Sequence, residues 1–541
     1  MKNRLLFIIL LIIAILPVSN LFHSGIPATH DGPDHVARIA NFYKSLTEGN
    51  VVPRWAANLN WGYGHPILMF LYPLPSYLAS ALHGIGMSFV DSAKLVFGLS
   101  YVVSVLMFFV WANKQWNPIA GFIGALIYGF SPYRFVDLNV RGDIGENMAF
   151  LLPPFIFWGL LSLAKNESRF AWTVVSIGVF ALITAHNAIA LMVMPLIIFY
   201  TIYLGIYSVK SKRDFCLKSG LAILLGFMLS AFFWIPALLE GKYTLRNIVT
   251  HGDFSLRFVQ PIQFLYSQWS YGTGNDLSKE LGILTWLAIA GGILLLFKLR
   301  QSSERLFISG TLLISGISLW LMTSGSAYLW NHITILQNFQ FPWRFLAVLV
   351  VTGASLGSLV ASKIKSRYIW AAVTASLLIV IIDTQNMWKP DGYIQRPESS
   401  YAGIYNSTTD TGESSPIWSI RFMELRPAAP MQVISGKAVI KQISRNTTRH
   451  IYSLDASIRS RIVENTLYFP GWKILADGIE TPIEFQDPAY RGLMTFWVNP
   501  GQHRVVVEFT ETKLRLFADY LSIFGWGVTI ALTGMVLWKR N

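Results

Sequence analysis

Thirteen apolar runs alternate with polar stretches along the chain, near residues 5–22, 68–86, 92–112, 118–136, 146–164, 170–186, 188–208, 218–238, 281–299, 306–324, 344–361, 368–385 and 517–538. Runs of this length suit helices that cross about 30 Å of hydrocarbon. Between them Lys and Arg gather at 165–169, 210–218, 298–305 and 363–367 and in the Lys539-Arg540 tail. The positive-inside rule makes those stretches cytoplasmic. Counting back from them puts 131–145 outside. If each of the first four runs crossed, Lys2 and Arg4 would lie outside as well, against the same rule. The run that fails to cross is 68–86, because Pro73 and Pro75 interrupt it, Tyr72, Tyr77 and His83 suit an interface, and Gly84 and Gly86 end it. It is expected along the outer surface. About twelve spans remain, with both termini inside, a long first external loop at 23–91, and further external segments at 131–145, 240–280 and 325–343.

Residues 386–516 follow a different pattern. Alternation at 449–457, 461–469, 493–498 and 504–509 predicts strands. Asp477-Gly478 and Asn499-Pro500-Gly501 supply turn chemistry between them. The expected fold class is a polytopic α-helical membrane protein with a C-terminal extracytoplasmic β-sandwich. Residues 1–385 form the membrane module, 386–516 the β-rich domain, and 517–541 the last span and tail. The Ser/Thr/Gly-rich stretch 399–415 reads as a loose loop.

Composition agrees with the pattern. Of 541 residues 53% are hydrophobic and 13% charged, and the mean hydropathy is +0.46, too apolar for one soluble core. A net charge of +14 would suggest nucleic acid in a soluble chain. Here the basic residues sit at the ends of spans, which accounts for them by orientation and leaves no nucleic-acid surface. The stretch 5–18 resembles a signal peptide, but residues 19–23 lack a small-x-small cleavage site, so an uncleaved first span is expected. The single cysteine, Cys216, excludes an intramolecular disulfide and a Cys-based zinc site.

Charged groups are costly near lipid, so their clusters need a reason. The first is His30-Asp31-Gly32-Pro33-Asp34-His35 with Arg38. A helix starting after Pro33 places Asp34 and Arg38 at i, i+4, with Asp31 as N-cap. A capped helix with an Asp34–Arg38 ion pair explains this without function. Alternatively, Asp31 and Asp34 could take a proton from an acceptor hydroxyl or hold a divalent ion, while His35 or Arg38 holds a phosphate. The second cluster runs from Arg134 and Asp137 to Arg141-Gly142-Asp143-Ile144-Gly145-Glu146. Gly142 and Gly145 permit a tight backbone that aims Asp143 and Glu146 together. A polar inter-helix turn is the plainer account. His186-Asn187 marks a sharp turn between two spans. Arg344, within Phe341-Pro342-Trp343-Arg344, is either a snorkelling anchor in an aromatic belt or a clamp for a lipid phosphate. Phosphate-loop, zinc-protease and serine-hydrolase motifs are absent from the sequence. An enzyme of this kind, with external acids and no nucleotide site, should draw on an activated donor already in the bilayer, such as a polyprenyl-phosphate sugar.

At these residues the chain resembles the GT-C class of membrane glycosyltransferases. Its likeness is to the bacterial branch of pyruvoyl-tetrahydropterin-synthase-related membrane proteins, near the YfhO-type glycosyltransferases. The resemblance rests on His30-Asp31 with His35 and Arg38, Pro53-Arg54-Trp55, Gly62-Tyr63-Gly64-His65-Pro66, Arg141-Gly142-Asp143 with Glu146, His186-Asn187, Phe341-Pro342-Trp343-Arg344 and Tyr468-Phe469-Pro470-Gly471-Trp472-Lys473. It implies inverting transfer from a polyprenyl-phosphate or polyprenyl-diphosphate sugar to a glycan, lipid or protein acceptor at the outer face of the cell membrane. Asp31 takes the general-base or metal-binding role in that reading, and Asp143 or Glu146 the partner role. Mg or Mn is the ion such a site would use, with Asp31 and Asp143 as ligands. Substrate contacts fall to His35, Arg38, Arg141, His186, Asn187 and Arg344. Asp34 is a departure, since that place is often non-acidic in the branch. The histidine trio of the soluble pterin synthase is missing. Two other classes remain, a transporter or lipid flippase with ionisable groups on broken mid-membrane helices, and a scaffold whose β-domain binds envelope glycan.

Overall fold

The computed structural model describes residues 2–272 and 277–538. Among these residues eight helices are long and apolar enough to cross a membrane, and two more pairs qualify only as bent units. Two shorter apolar helices, Ala171–Ala185 and Ile283–Lys298, bring the candidates to twelve. Lys539 and Arg540 lie outside the described residues.

The segment 68–86 contributes the helix Leu74–Gly84, of 11 residues. At 1.5 Å per residue it is about 16 Å long, half of what a crossing needs. It packs on the amphipathic helix Gly32–Thr47 through Phe42 and Tyr77, whose rings meet edge to face at 4.7 Å. A surface position makes a direct prediction. In a Cys216→Ser background, single cysteines at Ser24 and Ile85 should react with an impermeant thiol reagent from the same side of the membrane. Labelling from opposite sides would make 68–86 a span.

Two predicted spans are broken. The run 118–136 stops at Gly129, and the chain bends by 50° before Pro132–Arg141. Proline disfavours helical backbone in the residue before it, and Ser131 is extended at φ −61°, ψ 136°. After Pro132 a π-helical turn, Val136–Arg141, ends at Gly142 with φ +70°. Residues 131–145, expected as an external loop, are buried among the helices. The run 218–238 also bends, by 68°, between Lys212–Leu229 and Ala231–Leu239.

The strands are β1 Ile26–Pro27, β2 Tyr393–Ile394, β3 Met431–Ser435, β4 Ala438–Arg445, β5 Arg449–Ala456, β6 Ser460–Leu467, β7 Trp472–Ala476, β8 Ile479–Thr481, β9 Leu493–Val498 and β10 Gly501–Phe509. Antiparallel sheets in the orders β4-β5-β10-β7-β8 and β3-β6-β9 form the sandwich. Alternate residues of β5, namely His450, Tyr452, Leu454 and Ala456, turn inward as period-two burial requires. The sandwich rests on the first long loop. Trp55 enters its core and meets Trp472 at 5.3 Å and Phe509 at 5.6 Å.

The stretch 399–415 is not loose. Tyr405 N–H donates to Asn58 O, and Asn60 and Trp61 N–H donate to Ser407 and Tyr405 carbonyls, at 2.8–2.9 Å. Tyr401, Thr408, Thr409 and Ser415 are buried by this pairing. The segment is a strap across the helix Gly32–Thr47. Its small polar side chains meet backbone groups, so a composition typical of loops sits in a packed interface.

Candidate active site

Two chain segments meet at the start of the helix Gly32–Thr47. The N–H groups of His30 and Asp31 donate to the carbonyls of Val140 at 3.0 Å and Arg141 at 2.8 Å. Gly142 permits this approach, because a Cβ there would collide with the Thr29 side chain in a backbone already at positive φ. Gly145 plays the same part against the Tyr72 ring.

The centre of the site is Arg141. Its guanidinium bonds Asp137 Oδ1 at 2.6 Å, Asp143 Oδ2 at 2.9 Å and Glu146 Oε2 at 2.5 Å, all four side chains being buried. The ring of Trp343 lies 5.0 Å beneath it. Asp143 caps the next helix by accepting from Gly145 and Glu146 N–H at 3.1 and 2.9 Å, so its charge also meets a helix N-terminus. Tyr72 O–H donates to Asp143 Oδ1 at 2.7 Å and Tyr133 O–H to Glu146 Oε1 at 2.5 Å. His186 Nδ1 accepts from Ile189 N–H at 3.2 Å. Its proton is therefore on Nε2, which lies 3.5 Å from Asp143 Oδ2. The Tyr72 ring stacks on His186 at 4.7 Å.

Asp143, Glu146 and His186 bring their ligand atoms within 4.8 Å of one another, a set of residue types that could hold a divalent ion. Their arrangement does not suit Mg or Mn. A neutral imidazole has one lone pair, and His186 spends it on Ile189. Arg141 is already the cation between the two carboxylates. Asp31, expected as a metal ligand beside Asp143, is outside this group.

Asp31 differs from every other acid here. Its carboxylate accepts no hydrogen bond and forms no ion pair among the described residues, and it is half-buried. Burial pushes it above the usual carboxylate range, Asp143 and Asp34 add to the shift, and Arg38 and Arg141 oppose it. Asp34 accepts from Tyr405 O–H at 2.9 Å. The Asp34–Arg38 ion pair allowed by their spacing does not form. Arg38 turns inward, donating from Nη1 to His35 Nδ1 at 3.1 Å and from Nε to Thr409 Oγ1 at 2.9 Å; Nη2 also bonds Thr409 O. Burial, then the Arg38 charge, holds His35 well below its ordinary pKa, so the ring is neutral. Its Nε2 is buried without a partner.

The structure thus gathers Asp31, His35, Arg38, Arg141, Asp143, Glu146 and His186. Asn187 is exposed, with its Oδ1 accepting from Ala188 N–H at 2.9 Å. Arg344 donates to Phe339 O at 3.0 Å and covers the Phe341 ring at 4.9 Å. Phe341 stacks on Trp343 at 5.1 Å, so the neighbour of Arg344 is the residue that touches Arg141. Sequence reasoning passed over Tyr72, Tyr133, Trp343 and Thr409 as participants. The aromatic residues carried a weak signal in their nearness to proline breaks; Thr409 carried none.

Residues 68–390 match a family described as 6-pyruvoyl-tetrahydropterin synthase related domain; membrane protein. An uncharacterized protein of Lactococcus lactis subsp. cremoris (strain MG1363) is 26% identical over 259 residues, covering 47% of this chain and 42% of that relative. The match thus spans less than half of the relative's length. Among solved structures the chain is similar to arabinofuranosyltransferase AftD from Mycobacteria, with TM-score 0.47, 13% identity and coverage of 72% of this chain and 27% of that one. It is similar to the apo Archaeoglobus fulgidus oligosaccharyltransferase at TM-score 0.40 and 13% identity, over 77% and 61% of the two chains. ArnT from Cupriavidus metallidurans, bound to undecaprenyl phosphate, gives TM-score 0.36 and 12% identity, over 70% and 63%.

Proposed function

The chain belongs to the family of 6-pyruvoyl-tetrahydropterin synthase related membrane proteins, and from that premise we propose that it is a glycosyltransferase using a polyprenyl-phosphate-linked sugar at the extracytoplasmic face. The observation that carries this reading is the state of Asp31. It is an unbonded, half-buried carboxylate held beside a cluster whose own acids are all engaged. A general base needs such a lone pair and a proton affinity above that of a free carboxylate.

In this mechanism Asp31 accepts the proton of an acceptor hydroxyl as its oxygen bonds the anomeric carbon. The bond from that carbon to the donor phosphate breaks on the opposite side, with inversion. The leaving phosphate gains charge, which Arg38 and the His35 Nε2–H can meet, the former by charge and the latter by a hydrogen bond. Arg141, Asp143, Glu146 and His186 fix the backbone that carries Asp31, since Asp31 N–H hangs on Arg141 O. In this reading the acceptor is an envelope glycan, lipid or protein, and the donor enters from the bilayer.

The bent span at residues 118–141 gives the transporter reading one supporting observation. Against it, Asp137, Asp143 and Glu146 are each bonded to the Arg141 guanidinium, so a coupling ion in that bend would have to compete with a cation already held there. A scaffold has no use for Asp31 and Glu146 meeting through Arg141.

The pH dependence follows from the sign of the Asp31 shift. A raised pKa means protonation begins at milder acidity than for a free carboxyl. Transfer efficiency, kcat/KM, should fall on the acid side along a single-proton limb whose midpoint lies above the usual carboxylate range. Asp31→Asn should lack the limb. A limb that persists unchanged in that variant would assign the base elsewhere.

A further inference from the structure

We propose that Thr409, on the strap between the last loop of the bundle and the sandwich, is a positioning residue that decides which nitrogen of His35 is offered to the donor phosphate. This deepens the lipid-phosphate reading above and rests on it. The relay starts at the Thr409 hydroxyl. Its own proton is committed to Thr408 O at 2.6 Å, so its oxygen can only accept from outside, and it accepts Arg38 Nε at 2.9 Å. Arg38 is thereby turned toward His35, with Nη1 at 3.1 Å from Nδ1. A guanidinium has donors and no acceptor, so Nδ1 must be the acceptor and the ring proton must sit on Nε2. That Nε2 is buried without a partner in a ring that is 4% exposed. It lies near Tyr72, 6.4 Å between ring centroids, in the field of Asp143 and His186. An unmatched buried N–H is costly unless a ligand oxygen completes it.

Thr409 is itself held for this task. It is 1% exposed and adopts φ +66°, a conformation β-branched residues rarely take. Its N–H is fixed by Ser407 Oγ at 2.9 Å, and Ser407 O is fixed by Asn60 N–H at 2.9 Å. Without the hydroxyl, Arg38 keeps its Nη2 bond to Thr409 O but loses the Nε bond that fixes the tilt of its guanidinium, and the carboxylates of Asp31 and Asp34 that flank its helix turn draw it away from His35. His35 Nδ1 is then released, and the ring can place its proton on either nitrogen.

The test uses the full-length protein in nanodiscs, with undecaprenyl phosphate as the probe and native mass spectrometry as the readout. Thr409→Val keeps the shape and removes the acceptor. It should weaken binding about tenfold, the worth of one hydrogen bond to a charged group, with Tm unchanged. Thr409→Ser restores the acceptor and should bind nearly as the wild type does. His35→Ala should weaken binding at least as much as Thr409→Val, and adding Thr409→Val to it should weaken binding no further, since one relay is already broken. Wild-type affinity in Thr409→Val, failure of Thr409→Ser to recover, or additive losses in the double variant would each overturn the relay while leaving the lipid-phosphate reading in place. Failure of the wild type to bind the probe would overturn that reading, and the relay's ligand with it.

Discussion

Arg141→Gln should yield little folded protein. The change leaves Asp137, Asp143 and Glu146 buried together with no cation bonded to them. Breaking one buried pair from one side costs about 3–5 kcal/mol, and three acids share this guanidinium. A typical domain is stable by only about 5–15 kcal/mol. The loss should appear as a lowered Tm in detergent and as proteolysis of the site segments. A double variant, Arg141→Met with Glu146→Met, removes one charge of each sign and should recover part of the loss. Wild-type stability in Arg141→Gln would mean that the cluster is not buried as described.

The second large effect concerns turnover. Asp31→Asn keeps the shape and removes the proposed proton acceptor, so transfer should fall by at least about a hundredfold, the scale of one general base. Tm should stay the same or rise slightly, because the native carboxylate accepts no hydrogen bond that Asn would lose and its charge is disfavoured by burial. Asp34→Asn should cost far less. Asn still accepts the Tyr405 hydroxyl, and a half-exposed bond of that kind is worth about 1 kcal/mol. The reverse ranking would exchange the two roles.

Spans were legible because a long apolar run states its own length, and the short helix within 68–86 because two prolines and a parity argument pointed to the same run. Where the expectation failed, local chemistry was present but weighed too little. Ser131-Pro132 marks the break in the third span, yet the surrounding run is so apolar that it read as one helix. Strands β5, β6, β9 and β10 fall on the four predicted runs, with burial alternating clearly in β5 while β6 and β9 are buried nearly throughout. In the site, Asp143, Glu146 and Arg141 lie close in sequence, so spacing could find them. Thr409 and Arg38 are 371 positions apart, and a threonine in a polar stretch carries no mark of such a contact. The Asp34–Arg38 pair failed for a related reason. Spacing gives the opportunity for an i, i+4 pair, but the strap offers both residues better partners from outside the helix.

The central claim, that Asp31 drives glycosyl transfer from a lipid carrier, is most directly tested by supplying the purified protein with radiolabelled sugar on polyprenyl phosphate together with an envelope-derived acceptor. Release of free polyprenyl phosphate and movement of label into the acceptor with inverted anomeric configuration are predicted for the wild type, with at least about a hundredfold less for Asp31→Asn. Equal transfer by the two proteins, or passage of the intact donor across the membrane with its sugar bond unbroken, would contradict the account.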